Sequence, residues 1–168
     1  DATDDAVEQR LRATVASATP HLLPWVPLIG FAFGLDLAAT PEVEMLAEKN
    51  RRPKLHEVVE EFIAATLPGP MLFVFENAHH VDPASAELLA HVARTVGSHP
   101  WLVGVARRPG AGGAPPADAP AVRRIDLAPL AEQDARRLTQ LAAEHNPLPP
   151  HVLDVVAARS GGNPQFLR

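Results

Sequence analysis

The chain has 168 residues, 46% of them hydrophobic and 21% charged, with a formal net charge of −5. That is within the range of one domain and rich enough in apolar side chains to bury a core. The mild acidic excess, without clustered Lys and Arg, argues against a nucleic-acid surface. The absence of cysteine excludes disulfides and thiolate metal sites. No apolar run approaches the ~20 residues of a membrane span.

The start, "DATDDAVEQR", is acidic and lacks both an initiating Met and the basic-then-apolar pattern of a signal peptide. The end, "NPQFLR", reads as the opening of a helix. These features lead us to expect a piece of a longer cytoplasmic protein.

In chain order, "RLRATVA" (10–16) alternates and reads as a short strand. The segment 19–35 has three prolines close together and then apolar residues broken by Gly30 and Gly34. Its Pro part is expected to be extended and the rest a short helix, with Trp25 and the phenylalanines in the core. Thr40 and Pro41 are an N-cap and a first helical residue. In "PKLHEVVEEFIAATL" (53–67), Leu55, Val58, Val59, Phe62, Ile63 and Leu67 follow the 3.6-residue period of an amphipathic helix. "HEVVE" (56–60) has the outline of a zinc-protease motif, but Glu60 stands in place of the second histidine, so it reads as a solvated helix face.

"MLFVF" (71–75) is a continuous apolar run between turn signals, as in a strand buried on both faces of a parallel sheet. Asp82 and Pro83 open the next helix, with Leu88, Leu89, Val92 and Val96 as its buried stripe and Gly97 as its stop. "WLVGVA" (101–106) and "VRRIDL" (122–127) read as further strands, separated by the loop 107–120. Two helices follow, "LAEQDARRLTQLAAEH" and "PPHVLDVVAARS", the latter ended by Gly161 and Gly162. Arg51-Arg52 and Arg123-Arg124 are isolated pairs on solvated faces. Strands alternating with helices predict an α/β fold with a mainly parallel sheet. The strand-helix core is expected at about 10–127 and a helical part at 128–168.

Glu76 is the first candidate for chemistry. Magnesium on a nucleotide needs a carboxylate at the carboxyl end of a buried strand, and Glu76 follows "MLFVF" directly. A solvated strand end is the bland alternative. His79, His80 and Asp82 could instead hold zinc, or simply form a polar strand-to-helix turn with Asp82 as cap.

The stretch "PGPMLFVFENAHHVDPASAELLAHVA" resembles the Walker B region of STAND-type signal-transduction ATPases, P-loop proteins related to AAA ATPases. Glu76 matches the family's first acid, His79 its histidine and Asp82 its helix-capping Asp. "WLVGVARRP" resembles the next strand, ending in a sensor arginine at Arg107, with Arg108 as the alternative. "RIDLAPLAEQDARRL" resembles the following strand and helix entry. "RSGGNPQFLR" is similar to the family's Gly-Asn-Pro motif, in which Asn163 and Pro164 border the nucleotide.

The resemblance implies a three-layer P-loop NTPase-like α/β fold and a regulatory module that binds ATP and Mg²⁺. Glu76 would hold the metal through water, Asn77 would position water and Arg107 would sense the γ-phosphate. It also implies a fused or associated output domain, either a nucleotide cyclase or a helix-turn-helix unit.

The departures are specific. The sequence has no G-x-x-x-x-G-K-[ST] loop, the cradle for the phosphates. On the resemblance, that loop and its strand would precede residue 10, so the fold is expected to be incomplete. Asn77 replaces a frequent second acid, and a neutral amide cannot serve as a general base. His80 replaces a Trp. A missing central strand would leave unpaired sheet edges, which predicts marginal stability or self-association through the sheet. The competing reading is an interaction scaffold that binds protein partners and no nucleotide.

Overall fold

The structure, a computed structural model, describes residues 2–108 and 122–167. It divides into two compact units, Asp1–Arg123 and Arg124–Arg168. The first contains α1 (Ala2–Ala18), a 3₁₀ turn (Pro20–Trp25), α2 (Val26–Ala32), α3 (Pro41–Met45), α4 (Glu48–Thr66), β1 (Met71–Phe75), α5 (Pro83–Thr95) and β2 (Trp101–Val105). The second contains α6 (Glu132–Ala142), α7 (Pro150–Arg159) and a terminal 3₁₀ turn (Pro164–Leu167).

The expected three-layer parallel-sheet fold is not what forms. The described residues are 63% helical, and the sheet among them has two strands, β1 and β2, paired in parallel with Met71 opposite Trp101 and Phe75 opposite Val105. The reason lies in where the apolar side chains are buried. The main core of the first unit is helical: Leu11 and Val15 of α1, Leu22, Val26 and Ile29, and Val58 and Phe62 of α4 pack together, with Val43 of α3. Val15, Val26, Ile29 and Val58 have no exposed surface.

Residues 10–16, read as a strand, belong to α1. Leu11 and Val15 are four apart and so share one helix face, and Arg12 pairs with Glu8 one turn back at 2.8 Å. Residues 122–127, also read as a strand, form no regular element. Ile125 and Leu127 are 71% and 92% exposed, and a strand without a partner has no ladder to hold it. The Pro segment is a 3₁₀ turn where extended chain was expected. Phe31 and Phe33 lie largely exposed at the end of α2 instead of in the core. The strand "MLFVF" is not buried on both faces, since Leu72 and Val74 are 61% and 59% exposed. Most of the expected loop 107–120 lies outside the described residues.

Local signals do set the helix starts. Thr40 caps α3, its hydroxyl accepting from the Val43 amide at 3.4 Å, and Pro41 follows at the first helical position. α4 begins earlier than its apolar stripe, at Glu48, and carries Pro53 within its first turns. Val58, Val59 and Phe62 are the buried residues of its stripe.

In the second unit, Ala135 of α6, Ala157 of α7 and Leu167 form a small core. Gly161 and Gly162 end α7 with φ of 57° and 76°, the left-handed region that glycine enters without steric cost. At Gly162 a Cβ would also lie 2.6 Å from the Leu130 carbonyl oxygen, the atom group next to the backbone bond from Leu130 N to Gly162 O (2.8 Å).

Two stability outcomes follow from this packing. Ile29→Ala is expected to cost about 2–5 kcal/mol, read from urea unfolding followed by tryptophan fluorescence. Gly162→Ala is expected to disrupt the second unit more than Gly161→Ala, whose added Cβ would meet open space; amide NMR signals from α6 and α7 compare the two. Equal effects would contradict the close approach at Gly162.

Candidate functional site

The candidate site lies at the carboxyl ends of β1 and β2. Their pairing continues past the last strand residues. The Ala106 amide donates to the Phe75 carbonyl at 2.9 Å, and the Ala78 amide donates to the Ala106 carbonyl at 3.0 Å. Glu76 and Asn77 therefore sit on the turn leaving β1, while Arg107 follows the residue bonded to that turn. Glu76 and Arg107 are exposed.

Asn77 adopts φ 54° and ψ 33°, a left-handed conformation that asparagine tolerates better than most residues. This bend turns the chain into a short 3₁₀ turn, Ala78–His80. A pocket of about 320 Å³ opens here, lined by Phe75, Glu76, Asn77, Ala78, His80, Val81 and Leu89. One carboxylate and one amide thus share a concave strand end with apolar walls.

Asp82 is engaged as a helix cap. Its carboxylate accepts from the amides of Ala84 (2.9 Å) and Ser85 (3.0 Å) and from the Ser85 hydroxyl (2.6 Å). The Ser85 hydroxyl bond first, then the backbone bonds, hold its pKa below the ordinary value, against some desolvation. Since the folded pKa is depressed, this cap stabilises α5 above the unfolded carboxylate range and is lost as pH falls through the folded value.

The His79 ring packs against that of His80 with centroids 4.0 Å apart and planes inclined by 44°. Both His79 ring nitrogens are shielded from water with no hydrogen-bond partner among the described residues. Burial first, then the charges of His80 and Arg108, hold its pKa below the ordinary imidazole value. Among the described residues, no three His, Asp or Glu side chains are arranged to hold a metal ion. Asn163 and Pro164 belong to the second unit, where the Asn163 side-chain oxygen accepts from the Gln165 amide at 3.0 Å. They begin the turn Pro164–Leu167.

A second cluster escaped the sequence reading. His56 and Glu60, taken for a solvated helix face, are half-buried. The two Glu60 oxygens accept from His91 Nε2 of α5 at 2.5 Å and from His99 Nε2, just before β2, at 2.7 Å. Glu60 is only 14% exposed. The available signal was the i, i+4 spacing of His56 and Glu60 on α4; nothing in the sequence pairs that face with residues 91 and 99.

Comparisons with known proteins add little. No family model matches the chain, and no solved structure matches it. It is similar to an uncharacterized protein of Rhizobium meliloti (strain 1021), 31% identical over 139 residues that cover 81% of this chain. The chain spans about 13% of that relative's length.

The left-handed turn gives a direct test. Asn77→Gly is expected to leave stability within about 0.5 kcal/mol, whereas Asn77→Val is expected to cost about 1–2 kcal/mol through backbone strain. Thermal unfolding compares them, and equal midpoints would contradict the conformation at residue 77.

Proposed function

We propose that the chain supplies the metal-side half of a magnesium–nucleotide site in a regulatory ATPase module of a longer, cytoplasmic signalling protein. The observation that supports this is Glu76, exposed at the carboxyl end of a parallel strand pair, with Asn77 beside it and Arg107 beyond the neighbouring strand. Magnesium takes oxygen ligands and keeps several waters, so one carboxylate can hold it indirectly. Glu76 would hold the hydrated ion, Asn77 would orient water, and Arg107 would respond to a terminal phosphate.

The fit is partial. The residues suit a hydrated cation, but this sequence contains no glycine-rich loop with a following Lys to cradle phosphates. That half must come from elsewhere in the longer protein. Neutral Asn77 cannot take a proton from water, so the reading implies slow turnover, suited to a switch between two arrangements. The switched output would be a cyclase or helix-turn-helix domain. The likeness to STAND-type ATPases supports this reading through its motifs, not through the fold.

Manganese(II), a paramagnetic stand-in for magnesium, tests it. NMR signals of residues 75–80 and 106–108 are expected to broaden selectively on titration with the ion alone, and Glu76→Gln is expected to abolish the effect. Uniform broadening, or broadening that survives Glu76→Gln, would overturn the proposal.

A second reading, a scaffold for protein contacts, is favoured by the apolar sheet face of Leu72, Val74 and Leu102, each more than half exposed. Exposed apolar strands with free edges promote association. Sedimentation is expected to show mass rising with concentration, and Leu72→Lys with Leu102→Lys to suppress the rise. Concentration-independent mass in the unmodified chain would count against self-association through this sheet.

A further inference from the structure

The cluster around Glu60 joins three elements: α4, α5 and the entry to β2. Each Glu60 oxygen takes a different imidazole, from His91 at 2.5 Å and from His99 at 2.7 Å. Both histidines are about four-fifths buried. The His99 ring is fixed by stacking on Trp101, with centroids 4.1 Å apart and planes inclined by 20°. A third imidazole, His56, lies one turn before Glu60 on α4 and packs its ring 5.4 Å from that of His91.

The charges facing this cluster are unequal. From α4 come Arg52, His56 and Glu60; from α5 come Glu87, His91 and Arg94, with the Thr95 hydroxyl; from the β2 entry comes His99. Glu87 is already bound by Arg52 at 3.0 and 3.2 Å. Glu60 is thus the carboxylate left to balance three imidazoles and Arg94.

We propose that His56, His91, His99 and Glu60 form a proton-operated latch, which holds α4 against α5 and β2 at neutral pH and loosens when His56 gains a proton. The proposal does not rest on the nucleotide reading. At neutral pH each of His91 and His99 donates one Nε2–H, and a single carboxylate satisfies both. A proton on His56 places a cation beside His91 and near Arg94 and Arg52, and Glu87, the carboxylate that pulls the other way, is already engaged by Arg52.

The direction of the pH dependence follows. Burial first, then His91, with Arg94 and Arg52 also contributing, lowers the His56 pKa from 6.5, against the opposing pull of Glu87. The unfolded chain therefore takes up the proton first as pH falls. The latch is fully effective above the unfolded value and weakens as pH drops from there through the lower folded value. The Glu60 carboxyl loses its charge only below the ordinary carboxylate range. Desolvation pushes its pKa up, but hydrogen bonds from His99, Thr95 and His91 outweigh this and hold it below 4.5. Glu60 therefore stays ionised between about pH 7.5 and about pH 5.5.

The experiment is amide hydrogen exchange of the full chain by NMR between about pH 7.5 and about pH 5.5, corrected for intrinsic rates, alongside the histidine ring titrations. Exchange in α4 (56–63) and α5 (88–95) is expected to rise severalfold on acidification, with a midpoint that tracks the His56 ring. His56→Gln is expected to remove the rise and keep the fold. His91→Gln, a second variant, is expected to lift the His56 midpoint toward that of an unburdened imidazole. A rise unchanged in His56→Gln, or no rise in the unmodified chain, would overturn the proposal. So would stoichiometric zinc uptake that displaces the ring signals of His91 and His99, since the cluster would then be a metal site.

Discussion

Parallel pairing of β1 with β2 is the constraint on which the strand-end geometry depends. Two parallel strands cannot be joined by a tight hairpin, so the chain must leave the end of β1, cross back and enter β2 from the same side. The stretch 76–100 does this, with α5 as its body. Its first residues, Glu76 and Asn77, leave β1 at the end where the chain also leaves β2 toward Arg107. The amides of Ala106 and Ala78 extend the ladder beyond the strands, so that the turn is held by backbone and not only by side chains. Asn77 in a left-handed conformation and Asp82 at the start of α5 then set the path between strand and helix.

Stability and candidate chemistry are housed in different places within the first unit. The helical core of α1, α2 and α4 excludes water from Val15, Val26, Ile29 and Val58. The strand pair, by contrast, buries one face through Phe73 and Trp101, whose rings meet edge-on at 5.5 Å, and leaves Leu72, Val74 and Leu102 exposed. Glu60 links the two regions, since its helix packs into the core while its carboxylate binds the residues that frame β2. Buried and bonded on both oxygens, it couples the position of α4 to the sheet through charge-assisted hydrogen bonds, which are stronger than neutral ones when satisfied and costly when broken.

What could be read from the sequence was local. Thr40-Pro41 and Asp82-Pro83 start helices because a capping oxygen and a proline act on the next few residues alone. The apolar stripe of α4 and the runs 71–75 and 101–105 declare their type by period or composition. Apart from the Pro segment, which forms a 3₁₀ turn where extended chain was expected, the errors concern partners distant in sequence. Residues 10–16 alternate over a short window, yet Leu11 and Val15 are also four apart, and packing against α2 and α4 decides for the helix. Residues 122–127 have strand composition but pair with no strand among the described residues. Glu60 looked solvated because His91 and His99 are more than thirty positions away. At the site, the position of Glu76 directly after "MLFVF" was legible, whereas the left-handed turn at Asn77 was not. The His79 nitrogens, without a partner among the described residues, and the pocket that His80 and Leu89 help line were not legible either, since both arise from tertiary packing.

The measurement that bears most directly on this account is amide hydrogen exchange at the ends of the strand pair, at neutral pH. The account predicts protection of the Met71, Ala78 and Ala106 amides, bonded to Pro100, Ala106 and Phe75 respectively, together with the amides of α4. Protection throughout α4 with unprotected exchange at Ala78 and Ala106 would mean that the helical core folds without the strand ladder. Glu76 and Arg107 would then share no common end, and the account of the site would fail.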